Sequence, residues 1–284
     1  MLKIKILIFT LLGVILNLPS IKAQVMDSPP LDGVYEKIHN LNRVPIPYAP
    51  LREADALWTK RIWRVIDMRE KINHPFYYPI DEQNGRKSFM QVVLSAIQEG
   101  SITAYDIGND EFLIPFTYEQ IMKNLNSTDS VTQQRDYPPY DYYDTVIVQK
   151  FEPSTVKKIR IKEDWFFDKQ RSVMDVRILG ICPILDDIDP VTGESRGSKP
   201  LFWIYFPDAR KIFANAEVFN RFNDAARLTY DDLFFKRMFN SYIYKETNVY
   251  DRKIIEYATG MDALLESERI KNDIFLWEHD LWEY

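Results

Sequence analysis

Residues 58–78 read W-T-K-R-I-W-R-V-I-D-M-R-E-K-I-N-H-P-F-Y-Y, and the interpretation of the remaining chain starts from this stretch. Apolar side chains here and just before it recur at steps of three and four, the spacing of an amphipathic helix. They are Ala54, Trp58, Ile62, Val65, Met68 and Ile72. Lys71, Asn73 and Pro75 then supply residue types that commonly end a helix. The pattern predicts a core helix that stops before the aromatic run at 76–78.

Further helices are predicted from capping boxes, in which a Ser or Thr lies three residues before a Gln or an acid. The pairs are Ser88 with Gln91, Thr117 with Gln120, and Thr229 with Asp232. The first helix should close at Gly100, and Asp208 is predicted to cap another helix. The helix after Thr229 is expected to bury Leu233, Phe234, Met238 and Tyr242. A last amphipathic helix is predicted from Met261, with Leu264, Leu265, Ile270, Ile274, Trp277 and Leu281 as its apolar residues.

The second half of the chain contains β-branched and aromatic runs that are typical of strands. Strands are predicted at 146–151, 159–161, 173–184 and 201–206, and a hairpin at 102–114. A polar loop rich in turn formers joins 173–184 to 201–206, so these two strands should pair antiparallel. The fold class indicated is α+β: an antiparallel sheet with packed helices, a helical C-terminus and an extended, proline-rich N-terminal arm.

The first 50 residues differ in composition from the rest. Lys3 and Lys5 precede an apolar stretch at 6–18 that is too short to span a bilayer, which predicts a cleaved signal peptide over residues 1–23. An uncleaved membrane anchor is the alternative. Residues 24–50 contain five prolines and should form an extended arm, either a loose leader or a segment that lies on a neighbouring subunit. The main domain is then expected to span residues 51–284.

The charge and the cysteine content restrict the possible partners. Removing the three lysines of residues 1–23 changes the formal net charge from −6 to −9. Nucleic acids and anionic lipids need a basic surface, so neither is an expected partner, and no direct membrane insertion is expected. The single cysteine, Cys182, lies in the apolar run I-L-G-I-C-P-I and is expected to be a small buried side chain.

Candidates for chemistry are few. The loop between the two long strands carries the acids Asp186, Asp187, Asp189 and Glu194, which could supply oxygen ligands, but their spacing does not fit a calcium loop and turn chemistry explains them equally well. The histidines His39, His74 and His279 form no metal-binding motif. The alternative function is an exported metal-assisted hydrolase that uses the Asp186–Glu194 loop with a histidine. No cofactor is predicted.

The chain is rich in aromatic residues, with 17 Phe, 17 Tyr and 6 Trp. Residues 126–143 look like a connector that ends in Y-P-P-Y-D-Y-Y. Exposed tyrosines of this kind fit a protein-protein contact better than catalysis. The candidate partner-contact residues are Tyr137, Tyr140, Tyr142 and Tyr143. The same patch could instead strap one half of the fold to the other.

Three long motifs carry a family resemblance. They are W-R-V-I-D-M-R-E-K-I-N-H-P-F-Y-Y at 63–78, P-L-F-W-I-Y-F-P-D-A-R at 200–210, and Y-D-D-L-F-F-K-R-M-F-N-S-Y-I-Y-K-E-T-N-V-Y-D-R at 230–252. With the A-L-L-E-S-E-R-I-K run at 263–271, they resemble the gliding motility protein GldN family, called PorN in non-gliding relatives. The resemblance extends from about Arg52 to the end of the chain.

This resemblance implies a function that the residues alone do not give. It implies a non-enzymatic periplasmic component of the type IX secretion system of Bacteroidetes. Such proteins assemble with the lipoprotein GldK (PorK) into a ring at the inner face of the outer membrane and contact the inner-membrane motor protein GldM (PorM). The family offers no catalytic residues to carry over to this chain, and it leaves membrane attachment to the lipoprotein.

Overall fold

A computed structural model describes residues 34, 42–134, 142–149, 151–188, 195–220, 223 and 225–281. Contacts divide the chain into two units, residues 1–37 and residues 38–284. All helices and strands of the described residues lie in the second unit.

The stretch predicted to be the core helix is instead the long strand β1 (Ala56–Asp67). The helix prediction was wrong because the side chains from Ile62 to Ile66 are buried on both faces of the sheet. A strand buried on both faces loses the alternation of apolar and polar residues that identifies a half-exposed strand. Its Trp, Ile and Val side chains are the types that pack well on a pleated surface. The helical part of the stretch is limited to α1 (His74–Tyr77).

The other helices are short, except for the last one. They are α2 (Phe89–Gln98), α3 (Tyr118–Leu125), α4 (Phe206–Asn215), α5 (Tyr230–Phe235) and α6 (Met261–Asp280). The strands that follow β1 are β2 (Ala104–Tyr105), β3 (Pro115–Phe116), β4 (Ser127–Gln134), β5 (Tyr142–Gln149), β6 (Val156–Asp168), β7 (Val173–Ile188), β8 (Ser195–Pro200), β9 (Trp203–Tyr205), β10 (Glu217–Val218), β11 (Leu228–Thr229) and β12 (Tyr242–Glu246). This mixture confirms the α+β class.

The main sheet is antiparallel, with strand order β12-β1-β6-β7-β9-β2-β3, and β8 also pairs with β7. The predicted pairing of the two strands around the acidic loop is confirmed, because Ile181 of β7 lies opposite Ile204 of β9. Two small sheets, β4-β5 and β10-β11, are separate from it. The long strands β1, β6 and β7 form the centre to which the helices are attached.

The three capping boxes are confirmed as the starts of α2, α3 and α5. At α2 the backbone N–H of Ser88 donates to Gln91 Oε1 at 2.9 Å, and the N–H of Gln91 donates to Ser88 Oγ at 3.4 Å. Gly100 follows that helix with φ 71°, the left-handed conformation expected of a residue that closes a helix. Local capping chemistry was therefore a reliable guide to where these helices begin.

Several predicted boundaries were wrong. The strand predicted at 201–206 is reduced to β9, and α4 begins at Phe206 with Tyr205 as its N-cap, so Asp208 lies in the first turn and is not the cap. Pro207 provides the reason, since proline favours the first helical positions. The helix α5 ends at Phe235, and Met238 and Tyr242 are exposed, contrary to their expected burial.

The predicted connector is also partly regular. Residues 127–134 form β4 and pair with β5, whereas the pattern indicated irregular chain from 126 to 143. The predicted hairpin at 102–114 is displaced: β2 pairs with β3, and Ala104 lies opposite Phe116. Both errors fall in segments with few apolar side chains at regular spacing.

The largest core cluster lies between the sheet and helices α2, α4 and α5. Its centre is a group of aromatic rings with centroids between 5.1 and 6.1 Å apart. The group contains Phe76, Phe89, Phe213, Tyr230 and Phe234. The Tyr230 hydroxyl is satisfied inside this core, since it donates to the carbonyl of Lys87 at 2.8 Å.

The end of the sheet at β12 is covered by helix α6. The Ser267 hydroxyl of α6 accepts the backbone N–H of Ile243 at 2.9 Å, so this strand donates its hydrogen bond to a helix side chain. Trp277 anchors the other part of α6 by stacking on Trp58, with centroids 4.6 Å apart. The predicted terminal helix is confirmed, and its buried residues include Ile270 and Ile274, but Leu264 and Leu265 are exposed.

Residues 42–50 belong to the predicted proline-rich arm, and they lie on the chain's own domain. Arg43 pairs with Asp232 at 2.7 Å, and the Tyr48 ring lies 4.3 Å below the guanidinium of Arg210. The carbonyl of Ala49 accepts a hydrogen bond from Arg177. These contacts join the end of the predicted arm to the chain's own domain, and the extended arm over residues 24–50 stays a prediction. Residues 24–41 lie outside the described residues, apart from Val34.

Candidate interaction site

The four tyrosines proposed to contact partners fall in or beside a gap in the described chain. Tyr137 and Tyr140 lie outside the described residues. Tyr142 and Tyr143 belong to β5, where their backbones pair with Gln134 and Gln133 of β4, but their side chains are outside the description. Their role in binding stays a prediction.

The acidic loop is only partly described. Asp186 forms an ion pair with Lys158 at 2.8 Å, Asp187 lies opposite Gly197 in the β7-β8 pairing, and Asp189 and Glu194 lie outside the described residues. Across the part of the chain that the structure describes, no group of three or more His, Cys, Asp or Glu side chains is placed to hold a metal ion. Within that part, the alternative hydrolase hypothesis has no ligand set.

The histidines and the cysteine are placed separately. His74 packs edge-on against Tyr78 with centroids 5.6 Å apart, and His279 lies 6.4 Å from Phe275, while His39 lies outside the described residues. Cys182 is fully buried, as predicted. Burial raises the pKa of its thiol to about 12, so it is protonated at neutral pH and unreactive.

An apolar groove lies beside α1, and Asn73 holds the turn that carries two of its lining residues, Ile72 and His74. The Asn73 side chain is completely buried. Its amide donates to the carbonyls of Asp67 at 2.7 Å and Asn240 at 3.0 Å, and its Oδ1 accepts the backbone N–H of Asn240 at 2.9 Å. One side chain therefore links the turn after β1 to the segment before β12. The sequence pattern had suggested Asn73 as a helix-ending residue, so its real role was missed.

The groove itself lies between the turn after β1 and the β10-β11 pair, with a volume of about 1050 Å³. It is lined by Lys71, Ile72, His74, Pro75, Tyr78, Phe219, Asn220, Leu228, Leu233 and Met238. Four of the large apolar members are between 42% and 55% exposed, namely Ile72, Tyr78, Phe219 and Met238. Grouped exposed apolar side chains of this kind mark interaction surfaces in soluble proteins.

Both walls of the groove are supported from behind. Phe76, adjacent to the lining residues of α1, is buried against Phe234 at a centroid distance of 5.1 Å. On the opposite wall, Arg86 pairs with Glu217 of β10 at 2.9 Å, and its guanidinium lies 5.7 Å from the ring of Phe219. Buried aromatic packing thus supports one wall of the groove, and an ion pair supports the other.

A second apolar surface is the outward face of α6. Its side chains Met261, Leu264, Leu265, Phe275 and Leu276 are between 52% and 69% exposed. A helix with apolar residues on both its inner and outer faces is typical of an element that is buried from two sides. The sequence analysis predicted a helix with a single apolar face, and it did not predict that the outward face of α6 is apolar as well.

The sequence comparisons identify the family of the chain. Among the described residues, no helix is both long enough and apolar enough to cross a membrane. No curated protein matches the chain. A family model described as gliding motility associated protein GldN matches residues 51–283. The chain therefore belongs to the GldN family, whose members are components of the gliding motility and type IX secretion machinery.

Proposed function

We propose that this protein is a non-enzymatic periplasmic subunit of the type IX secretion system. In this proposal it self-associates in a ring with the outer-membrane lipoprotein GldK (PorK) and contacts the motor protein GldM (PorM). The observation that carries the proposal is the family match over 51–283. The exposed apolar groove and the outer face of α6 support it, because both are surfaces suited to protein contacts.

The proposed location follows the same reasoning. Residues 1–23 would direct export and be removed, residues 24–50 would form the arm, and residues 51–284 the domain that assembles. The protein would be held at the inner face of the outer membrane through the lipoprotein, without inserting into the bilayer itself.

Co-purification tests the assembly directly. The chain from Gln24 onward is produced together with its GldK partner, and the complex is analysed by size-exclusion chromatography with mass determination. A stable complex larger than a single pair is expected. A protein that stays monomeric at micromolar concentration and does not retain the lipoprotein would refute the proposal.

The tyrosine patch gives a first prediction for this assay. Replacing Tyr140 and Tyr143 together by Ser is expected to leave thermal stability unchanged and to weaken assembly, since tyrosines are frequent energetic centres of interfaces. Retention of the lipoprotein by the double variant is the readout. If the variant instead loses thermal stability and retains the partner normally, the patch straps the fold internally.

The apolar groove gives a second prediction. We expect Ile72→Asp to weaken complex formation about tenfold or more, because a charge placed in an apolar contact must be desolvated without a partner. Ile72 is 55% exposed, so the free protein should fold normally. The matched control is Leu57→Asp, at a position that is 63% exposed and outside the groove lining. Equal effects of the two substitutions on assembly would rule out the groove as a specific contact.

A further inference from the structure

A cluster of buried charges lies under a cleft that the proposed function does not use. Glu163 of β6 is completely buried. It accepts hydrogen bonds from Arg64 Nε, from Trp165 Nε1 at 2.9 Å, and from Arg237 Nη1 at 2.8 Å. Two guanidinium groups thus share one carboxylate, which leaves one positive charge without a buried counter-charge in this cluster.

The uncompensated charge is open to the cleft through Arg64. Its side chain is 8% exposed, and it pairs with Glu163 through Nε. Within the described residues its two Nη groups make no hydrogen bond, and Arg64 lines the cleft. Burial and the neighbouring Arg237 lower the pKa of Arg64, and Glu163 and Glu268 oppose that change. Arg64 thus lines the cleft with a guanidinium that lies 5.9 Å from the Trp165 ring centroid, and the planar fork of such a group can bind an anion.

The shape of the cleft further limits the ligand. The cleft has a volume of about 500 Å³, and its floor is formed by Arg64, Trp165 and Arg237. The cleft is also lined by apolar side chains, namely Phe239 before β12, whose ring centroid lies 5.3 Å from the Arg237 guanidinium, and Phe275 and the largely buried Ile274 on α6. Phe275 is 62% exposed, so it offers an uncovered ring at the mouth. The site therefore combines a carboxylate-binding floor with apolar walls.

The charged side chains at the rim of the cleft do not cancel the positive charge of Arg64 in its floor. Lys271 is already paired with Glu268 at 3.3 Å along the helix. Glu278 also lines the cleft and is half-buried, and Glu268 of the same helix acts electrostatically on Arg64, so two carboxylates of this chain compete with a ligand. Because charges near solvent are screened more strongly than buried ones, the buried guanidinium dominates the floor.

We propose that this cleft binds the carboxylate side chain of a partner protein segment in which a Glu or Asp is followed by an aromatic residue. The carboxylate would accept two parallel hydrogen bonds from the Nη groups of Arg64, and the aromatic ring would pack against the exposed Phe275. The proposal rests on the proposed function in one respect, since it takes the occupant to be a protein. The apolar walls favour such a segment over a small inorganic anion, which would leave them uncovered.

The test uses short probes, so its failure can be distinguished from a failure to assemble with the lipoprotein. The probe is N-acetyl-Glu-Phe-amide, titrated to about 10 mM, a range that detects weak millimolar binding. N-acetyl-Gln-Phe-amide is the neutral match, and inorganic phosphate tests for a simple anion. Binding is followed by the NMR signal of the Trp165 Nε1–H, which donates to Glu163 in the floor. We expect the glutamyl probe to bind about tenfold or more tightly than the other two.

Three variants and one control assign the contact. Arg64→Lys keeps the charge but removes the fork and should weaken the glutamyl probe about tenfold. Phe275→Ala should weaken it several-fold, whereas Leu276→Ala, which is 55% exposed and outside the cleft, should not. Glu278→Gln removes the carboxylate of this chain that lines the cleft, so it should tighten binding of the glutamyl probe. The proposal would be overturned if the glutamyl and glutaminyl probes bind equally or if neither binds. It would also be overturned if Phe275→Ala does not change the affinity for the glutamyl probe. These outcomes do not depend on whether Arg64→Lys folds.

Discussion

We expect Trp63→Ala to lower the free energy of unfolding by about 3–5 kcal/mol, the usual cost of truncating a buried Trp. Trp63 is 6% exposed and packs with Cys182 and Trp203 in one cluster. Its Nε1–H donates to Asp110 Oδ2 at 2.7 Å, and the Lys245 ammonium lies 4.5 Å from its ring centroid. The substitution therefore leaves a cavity and removes two polar contacts from the centre of the sheet.

Urea denaturation followed by circular dichroism measures this loss. Trp63→Phe is the conservative comparison, because it retains a buried ring and loses the bond to Asp110, at an expected cost of about 1–2 kcal/mol. Leu57→Ala, at a position that is 63% exposed on the same strand, should stay within about 0.5 kcal/mol of the wild type. A stability of Trp63→Ala equal to that of Leu57→Ala would contradict the placement of Trp63 in the core.

The second large effect is expected from Glu163→Gln, which should cost about 3–5 kcal/mol. The amide cannot neutralise Arg64 and Arg237, and its NH₂ group would face donors where the carboxylate accepts. The penalty comes from leaving charged groups in a nearly buried position without a partner, since Arg64 is 8% exposed. Replacing all three together, as Arg64→Met, Glu163→Leu and Arg237→Met, should recover most of the loss, because apolar groups need no counter-charge.

The same cluster predicts a pH dependence with a definite sign. Burial acts to raise the pKa of Glu163, but Arg237 and Arg64 outweigh it and hold the pKa below the usual value of about 4.3. The unfolded chain then binds the proton more readily, so stability rises with pH. The contribution is complete above the unfolded pKa and is lost as the pH falls through the folded pKa. Unfolding measured from pH 6 downward should therefore show a shallower acid loss for Glu163→Gln, and parallel curves would refute this assignment.

Local chemistry made part of the fold predictable. The box formed by Thr117 and Gln120 closes within three residues, so its hydrogen bonds depend little on the rest of the chain. The terminal helix α6 was found for a similar reason, because its inner apolar residues recur over 20 residues. Strand β1 was not, since it pairs with β6 and β12, which come about 100 and 180 residues later, and its side chains pack into three clusters drawn from distant parts of the chain.

The cleft and the apolar groove were even less predictable from the sequence than the fold. The floor of the cleft joins Arg64, Glu163 and Arg237, and no local spacing connects these positions. The helix prediction left Arg64 outside the apolar stripe that it assigned to the core, although the Arg64 side chain is 8% exposed. The groove likewise depends on Asn73, which bonds to Asn240 across 167 residues. The family motifs at 63–78 and 230–252 contain most of these residues, but the motifs gave the family and not the geometry.

The position of α6 against β12 has a consequence for how copies of this protein can meet. An outermost strand with open backbone groups is a template on which another chain can add a strand, and such growth has no natural stopping point. Here the Ser267 hydroxyl accepts the Ile243 N–H where an incoming strand would otherwise bond. At the opposite end of the main sheet, β3 has two residues and begins with Pro115, which has no N–H to offer. Among the described residues, extension of this sheet past β12 or β3 is therefore disfavoured, which leaves β8, paired only with β7, as its remaining outer strand.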